Sequence, residues 1–189
     1  MEIGLLSAIR GGIFIIISIF LTVFSWRSLR NPRCHGFYRF FVFEALLVLI
    51  LLNIPFWFKN PLTLLQVVSW ILLFFSVFLV VLGFYLLRKF GGYKARENSS
   101  ETHAFEDTAS LVTDGIYKYI RHPLYSSLLF LAWGAYLKHI SVWGTIAVLL
   151  TTASLLATAR IEERENLLAF GSEYSTYKRK TKMFIPYLL

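Results

Sequence analysis

Asp114-Gly115-Ile116-Tyr117-Lys118-Tyr119-Ile120-Arg121-His122-Pro123-Leu124-Tyr125 is a polar, basic stretch set directly against an apolar one. The residue before a proline is pushed out of the α region, and proline itself suits the first turn of a helix. The order therefore predicts a helix that starts at Pro123, with His122 at its mouth. A helix mouth presents free N–H groups and a partial positive charge. Arg121 and His122 add donors at the same place. Such a mouth is a ready site for a carboxylate or a phosphate.

Outward from this stretch the chain is mostly apolar. Of its 189 residues 57% are hydrophobic, and mean hydropathy is +0.61, more than a soluble domain needs. Residues 11–26, with 3–9 ahead of them, can span a bilayer. They read as a span rather than a cleaved leader, because Glu2 precedes them and no small-x-small site follows. Further apolar segments run over about 40–58, 62–87, 123–137 and 141–159. Spans need about 20 residues each. The expected fold is all-α: a polytopic membrane protein with about five transmembrane helices, a C-terminal helical hairpin and an amphipathic cytosolic tail. One integral-membrane domain over 1–189 is expected. It holds three N-terminal spans (1–88), a cytosolic loop (89–122), the hairpin (123–159) and the tail (160–189). Gly91-Gly92 and Asn98-Ser99-Ser100 mark the loop, Lys138-His139 the hairpin turn, and Gly171 the stop of a helix over 162–170.

Charge orients this map. Sixteen of the 19 basic residues fall in the first, third and fifth polar segments, leaving only Arg10, Lys59 and Lys138 on the other side. Basic loops stay cytosolic, so the N-terminus is expected outside, with the C-terminus and the polar clusters in the cytosol. The +8 charge thus records topology and does not point to nucleic acid. The single cysteine, Cys34, allows no internal disulfide. His35, His103, His122 and His139 form no helical pair or short cluster, so no metal is expected.

An antiparallel hairpin brings its two ends together. Arg121-His122-Pro123 and Glu162-Glu163 should therefore meet at the membrane–cytosol boundary and form one polar pocket. Each has a plainer reading. Arg and His at a boundary can bind lipid phosphates, and acidic residues suit a helix's first turn. Glu44 and Asn53 lie within the second span, and Glu44 reads as structural, with Arg39 or Arg88 near enough to neutralise it. Gly83 and Gly134 read as points of close helix approach.

The ordered set Leu111-Val112-Thr113-Asp114-Gly115-Ile116-Tyr117, Arg121-His122-Pro123-Leu124-Tyr125, Glu162-Glu163, Phe170-Gly171-Ser172-Glu173-Tyr174 with Tyr177, and Phe184-Ile185-Pro186 resembles the isoprenylcysteine carboxyl methyltransferase family. The wider group includes phospholipid N-methyltransferases. The resemblance implies a membrane enzyme that uses S-adenosylmethionine without a Rossmann glycine motif. By it, Leu111 and Val112 would contact the adenosine end, and Tyr117, His122, Pro123, Leu124 and Tyr125 would wrap the cofactor. Glu162, with Glu163 beside it, would hold the cofactor from the far end of the hairpin. Arg121 and Arg160 are the catalytic candidates, since either guanidinium can bind an acceptor carboxylate bidentately. The implied partner is a lipophilic or prenylated acceptor reached from membrane lipid, with the carboxyl of a prenylated cysteine as the named substrate and a lipid amine or a thiol as the alternative.

Three positions depart from the family pattern. Ala109 stands where a His precedes the Leu-Val pair, and Ser127 where a Gly follows the motif Tyr. Thr158 stands where a substrate-contacting Arg is usual, with Arg160 two residues on. Two other classes stay open. A membrane NADPH reductase has a similar Arg-His-Pro hairpin, but its motif continues Asn-Tyr, whereas here Leu124-Tyr125-Ser126-Ser127 follows. A non-catalytic scaffold is the other.

Overall fold

The computed structural model describes residues 2–92 and 110–187, with side chains from residue 5 onward. Six α-helices follow in order: α1 (Glu2–Phe24), α2 (Trp26–Leu29), α3 (His35–Asn53), α4 (Leu64–Phe90), α5 (Pro123–Tyr136) and α6 (Val142–Lys180). Short 3-10 turns lie at Ile54–Phe56 and Gly115–Lys118. Among the described residues the chain is helical and has no strand; a single isolated bridge joins Ile120 to Lys182. Four helices, α1, α3, α4 and α6, are long and apolar enough to cross a membrane. This is an all-α polytopic membrane protein. Ala109, His103 and the Asn98-Ser99-Ser100 loop signal lie outside the described residues.

The fifth apolar segment is helical but short. α5 has 14 residues, about 21 Å at 1.5 Å per residue, against a hydrocarbon core of about 30 Å. Pro123 opens it, as expected from His122, whose φ of −123° and ψ of 62° lie outside the helix. α6 takes the opposite course. It runs without a break from its apolar part, 142–159, into the charged stretch beyond Arg160.

The core forms where three helices show matching apolar stripes. α3 contributes Val42, Leu46 and Leu49, α5 contributes Leu129, Ala132 and Ala135, and α6 contributes Ala147, Val148, Leu155 and Ala159. Spacings of three and four on α3 and α5, and of seven and four from Val148 to Leu155 and Ala159 on α6, keep each set on one helix face. Small residues on α6 (Gly144, Ala147, Thr151, Ser154, Thr158) are buried and let the helices approach closely. α3 packs mainly on α6, and α4 on α5. At Gly134 a Cβ would lie 2.9 Å from Leu73 and 3.2 Å from the Ser69 carbonyl, so α4 and α5 touch there. α1 stands at the edge and packs on α3. Ser18 of α1 donates a 2.7 Å hydrogen bond to Glu44 Oε2.

Both ends of the bundle are fastened by polar contacts. At one end Asn53 Nδ2 donates to the Ala135 carbonyl at 2.8 Å and Ser69 Oγ to the Gly134 carbonyl at 2.7 Å. Gln66 Nε2 donates to the Lys138 carbonyl at 2.9 Å, while Lys138 Nζ donates back to Gln66 Oε1 at 3.2 Å. Lys138, read from sequence as part of a hairpin turn, is buried with its ammonium 3.4 Å from the centre of the Trp70 ring. At the other end Glu165 of α6 accepts from the His35 backbone N–H at 3.2 Å. The same carboxylate pairs with His35 Nδ1 at 2.5 Å. A carboxylate on a helix N-terminus is favourable, so Glu165 ties the start of α3 to α6.

Candidate active site

The juxtaposition expected of a hairpin is present. Arg121, just before α5, donates from Nε to Glu163 Oε1 on α6 at 2.6 Å. Lys178 Nζ reaches Glu163 Oε2, also at 2.6 Å. His122 lies between the two glutamates, its Nδ1 3.9 Å from Glu162 Oε1 and its Nε2 3.6 Å from Glu163 Oε1. Tyr125 donates its hydroxyl to Glu162 Oε2. Burial alone would push the Glu163 carboxyl up, but the neighbouring His122 ring and the bonds from Lys178 and Arg121 outweigh it and hold the pKa at about 2.

Two local devices bring these groups together. At Gly171 α6 is interrupted by backbone angles of φ 56° and ψ −127°, a region essentially reserved for glycine. The stop expected at Gly171 is present as this break, and a second helical stretch follows it to Lys180. The turn lets Lys178 come back to Glu163, fifteen residues earlier. The second device is the tail. Arg121 N–H donates to the Lys182 carbonyl at 2.8 Å and His122 N–H to the Met183 carbonyl at 3.1 Å. Ser126 Oγ donates to the Phe184 carbonyl at 2.7 Å. Phe184 is buried in the core. The guanidinium of Arg121 also donates from Nη1 to the carbonyls of Thr181 and Lys178.

The loop before α5 forms the opposite wall. Leu86, Val112 and Tyr117 make a small apolar cluster. Gly115 lies there at φ 61°, and a Cβ would come within 2.7 Å of Leu86 Cδ1, so both its angle and its space require glycine. Tyr177 donates its hydroxyl to the Tyr117 carbonyl at 2.8 Å. Burial, then the neighbouring Tyr177 and the charge of Glu162, push the Tyr117 hydroxyl well above its ordinary value.

Between these walls lies a half-open cavity of about 110 Å³. Leu111, Val112, Tyr117, His122, Pro123, Leu124, Tyr125 and Glu162 all line it, and so does Arg121. Glu163 lies behind the wall, 4% exposed, and braces Arg121. Arg160 is exposed on α6 and is not among the lining residues. Thr158 is fully buried and returns its hydroxyl to the Ser154 carbonyl at 2.7 Å. Leu87, Asn166, Phe170, Tyr174 and Tyr177 complete the lining. These five were not singled out as site residues from the sequence. For three of them a signal existed: Phe170, Tyr174 and Tyr177 belong to the motif around Gly171.

One polar atom on this wall, His122 Nε2, has no hydrogen-bond partner. Its residue is 5% exposed. Native structures seldom leave such a buried group unsatisfied, and here it belongs to a residue lining the cavity. The cavity thus combines apolar surface, aromatic faces, one accessible carboxylate and one unspent polar atom.

Comparison with known proteins gives a consistent picture. The family model described as phospholipid methyltransferase matches residues 64–171. Methanethiol S-methyltransferase 1 of Bradyrhizobium diazoefficiens is 31% identical over 72 residues, 38% of this chain and 25% of that protein. The methanethiol S-methyltransferase of Crocosphaera subtropica is 29% identical over 76 residues, 40% of this chain and 29% of that protein. A probable protein-S-isoprenylcysteine O-methyltransferase of Oryza sativa subsp. indica is 30% identical over 125 residues, 63% of each chain. The match therefore spans only a quarter to three-tenths of the two methanethiol enzymes. No solved structure matches significantly.

Proposed function

Because the chain belongs to the phospholipid methyltransferase family, we propose that it transfers a methyl group from S-adenosylmethionine to a lipophilic acceptor at one face of the membrane. The observation that carries this reading is the single cavity lined by Leu111, Val112, Tyr117, the four residues from His122 to Tyr125, and Glu162. The residues present fit such a donor. Leu87, Leu111, Val112 and Leu124 offer apolar surface for a purine. Glu162 offers a carboxylate to an ammonium. The unpartnered His122 Nε2 offers one more polar contact. The basic residues around the cavity support a cytosolic position for it by the positive-inside rule.

When bound, the donor supplies a methyl group already activated on a sulfonium. The chain's task is then mainly to position. Holding reactants in line can supply several kcal/mol of the barrier, about 7–11 at best. The Arg121–Glu163–Lys178 network fixes the mouth of α5, and Tyr125 fixes Glu162. α5 is short, so the cavity at its mouth lies within reach of the bilayer, and an acceptor with a lipid tail has a short path to it.

Two acceptor classes follow. The carboxyl of a prenylated cysteine or a similar amphiphile is the first; it is ionised at neutral pH and needs no base. A thiol or lipid amine is the second, and a specific observation favours it. Nε and Nη1 of Arg121 are spent on Glu163, Lys178 and Thr181, Thr158 replaces the usual Arg, and Arg160 does not line the cavity. A carboxylate clamp would have to come from elsewhere, whereas a thiol needs none. A panel of a prenylcysteine carboxylate, a lipophilic thiol and a lipid amine, each with labelled donor, decides between them. For the donor site, Glu162→Ala and His122→Ala should each abolish S-adenosylhomocysteine binding. Binding retained in both variants removes the site assignment.

A further inference from the structure

A second cavity, of about 500 Å³, opens at the same end of the bundle and has no part in the reading above. Leu111 and Tyr177 line both cavities and are the only residues the two share. The Tyr177 hydroxyl is spent on the Tyr117 carbonyl, so it offers the second space only its ring. Charge sets this space apart. Lys118, in the 3-10 turn before α5, and Lys180, the last residue of α6, both line it, against one lining carboxylate, Glu173.

Neighbouring cations are committed within the protein. Lys178 sits 2.6 Å from Glu163, and Arg121 is held by the same carboxylate and by the Thr181 carbonyl. Among the described residues Lys118 and Lys180 enter no such ion pair. Two ammoniums at one cavity repel each other, and a single carboxylate leaves the space net positive. Thr176 lines it too. Its hydroxyl oxygen accepts from Arg179 at 3.3 Å, which leaves its proton to donate.

This set defines a ligand. Ammoniums only donate, and so does a hydroxyl whose acceptor side is taken. The partner must therefore carry negative charge and several acceptor oxygens. A neutral amphiphile would leave both ammoniums unanswered. A phosphate ester has a tetrahedron of oxygens that can meet donors arriving from separate elements, and lysine binds phosphate as a point charge. We propose that this second cavity binds a phosphate ester, clamped between Lys118 and Lys180 and met by Thr176. Two sources share that chemistry: an anionic phospholipid headgroup, which basic segments beside membrane spans attract, and a soluble phosphate ester.

The test compares the full-length wild type with Lys118→Gln/Lys180→Gln and with Arg33→Gln/Lys89→Gln. The second pair removes the same charge from exposed residues outside the cavity. Calorimetry with glycerol phosphate reads the soluble source. Native mass spectrometry of detergent-purified protein with phosphatidylglycerol, against phosphatidylcholine, reads the lipid source. Wild type should bind at least one of the two anionic probes, and whichever binds identifies the source. Loss of Lys118 and Lys180 should weaken that binding by about tenfold or more. The control pair should stay within about twofold at physiological salt, where distant exposed charges are screened. The Tm of the unliganded proteins should be unchanged. A folded wild type that binds neither anionic probe, or phosphatidylglycerol no better than phosphatidylcholine with no glycerol phosphate bound, overturns the site. So does an equal loss in both variant pairs, which would make the effect one of net charge. A fall of several degrees in the Tm of Lys118→Gln/Lys180→Gln would show the lysines spent within the protein and would overturn it as well.

Discussion

The two ends of the helix bundle use polar residues in opposite ways. At the end holding Lys138, polar side chains mostly bond to one another or to main chain: Gln66 with Lys138, Ser69 with Gly134, Asn53 with Ala135. Asn53 Oδ1 is the exception left without a partner. At the Arg121 end a denser network holds a further polar atom, on His122, unsatisfied beside a cavity. Polar groups at the first end fasten helices, and those at the second hold a shape open for something else. Substitutions at the two ends should therefore separate stability from binding.

The largest effect is expected at Glu163. Glu163→Ala leaves Arg121 and Lys178 without their counter-ion. Breaking a buried pair costs about 3–5 kcal/mol, and the mouth of α5 loses its brace. Thermal unfolding and S-adenosylhomocysteine titration should both show the loss; a variant with normal Tm and affinity would make the network incidental. The same residue gives a pH signature. Its folded pKa of about 2 lies below the ordinary 4.5. Its contribution is complete above about pH 4.5 and is lost as pH falls toward 2. The Tm difference between wild type and Glu163→Gln should thus be constant from neutrality to about pH 4.5 and shrink below it.

Lys138→Ala tests the opposite end. It leaves Gln66 Oε1 without its donor and removes a cation from Trp70, so about 1–3 kcal/mol of stability should go. Donor affinity should stay within twofold. A large loss of affinity with intact Tm would mean that the two ends are coupled. Gly171→Ala should cost no more stability than Lys138→Ala. Nothing lies within 4 Å of the added Cβ, so the cost is backbone strain alone, about 1–3 kcal/mol. Binding should weaken with it, because Tyr174 and Tyr177 stand beyond the turn; a Tm above wild type would contradict that.

Much of this was legible in the sequence, and the limits are physical. Apolar runs marked α1, α3, α4, α5 and the first part of α6, because length and hydropathy are local properties. Pro123 marked a helix start because its geometry is fixed. Hairpin logic brought Arg121 and His122 to Glu162 and Glu163, because antiparallel ends must meet. What stayed hidden depends on tertiary placement. The strap of residues 181–184 along 119–122 is made by main-chain groups, which every residue carries. Asn166 and Leu87 carry no signal of a wall. Lys138 read only as part of a hairpin turn; its burial comes from a Gln and a Trp on another helix. Pro123 and the Lys138-His139 turn bounded α5 nearly as found; it read as a span because the run was counted for its apolarity, although its 14 residues fall short of the roughly 20 that a span needs.

The central claim is that the cavity at the mouth of α5 is a methyl-donor site. The most direct test is calorimetric titration of the detergent-purified protein with S-adenosylhomocysteine and, separately, with NADPH. The expected result is saturable binding of S-adenosylhomocysteine and none of NADPH. Binding of NADPH alone, or no binding of either by protein shown to be folded, would contradict it.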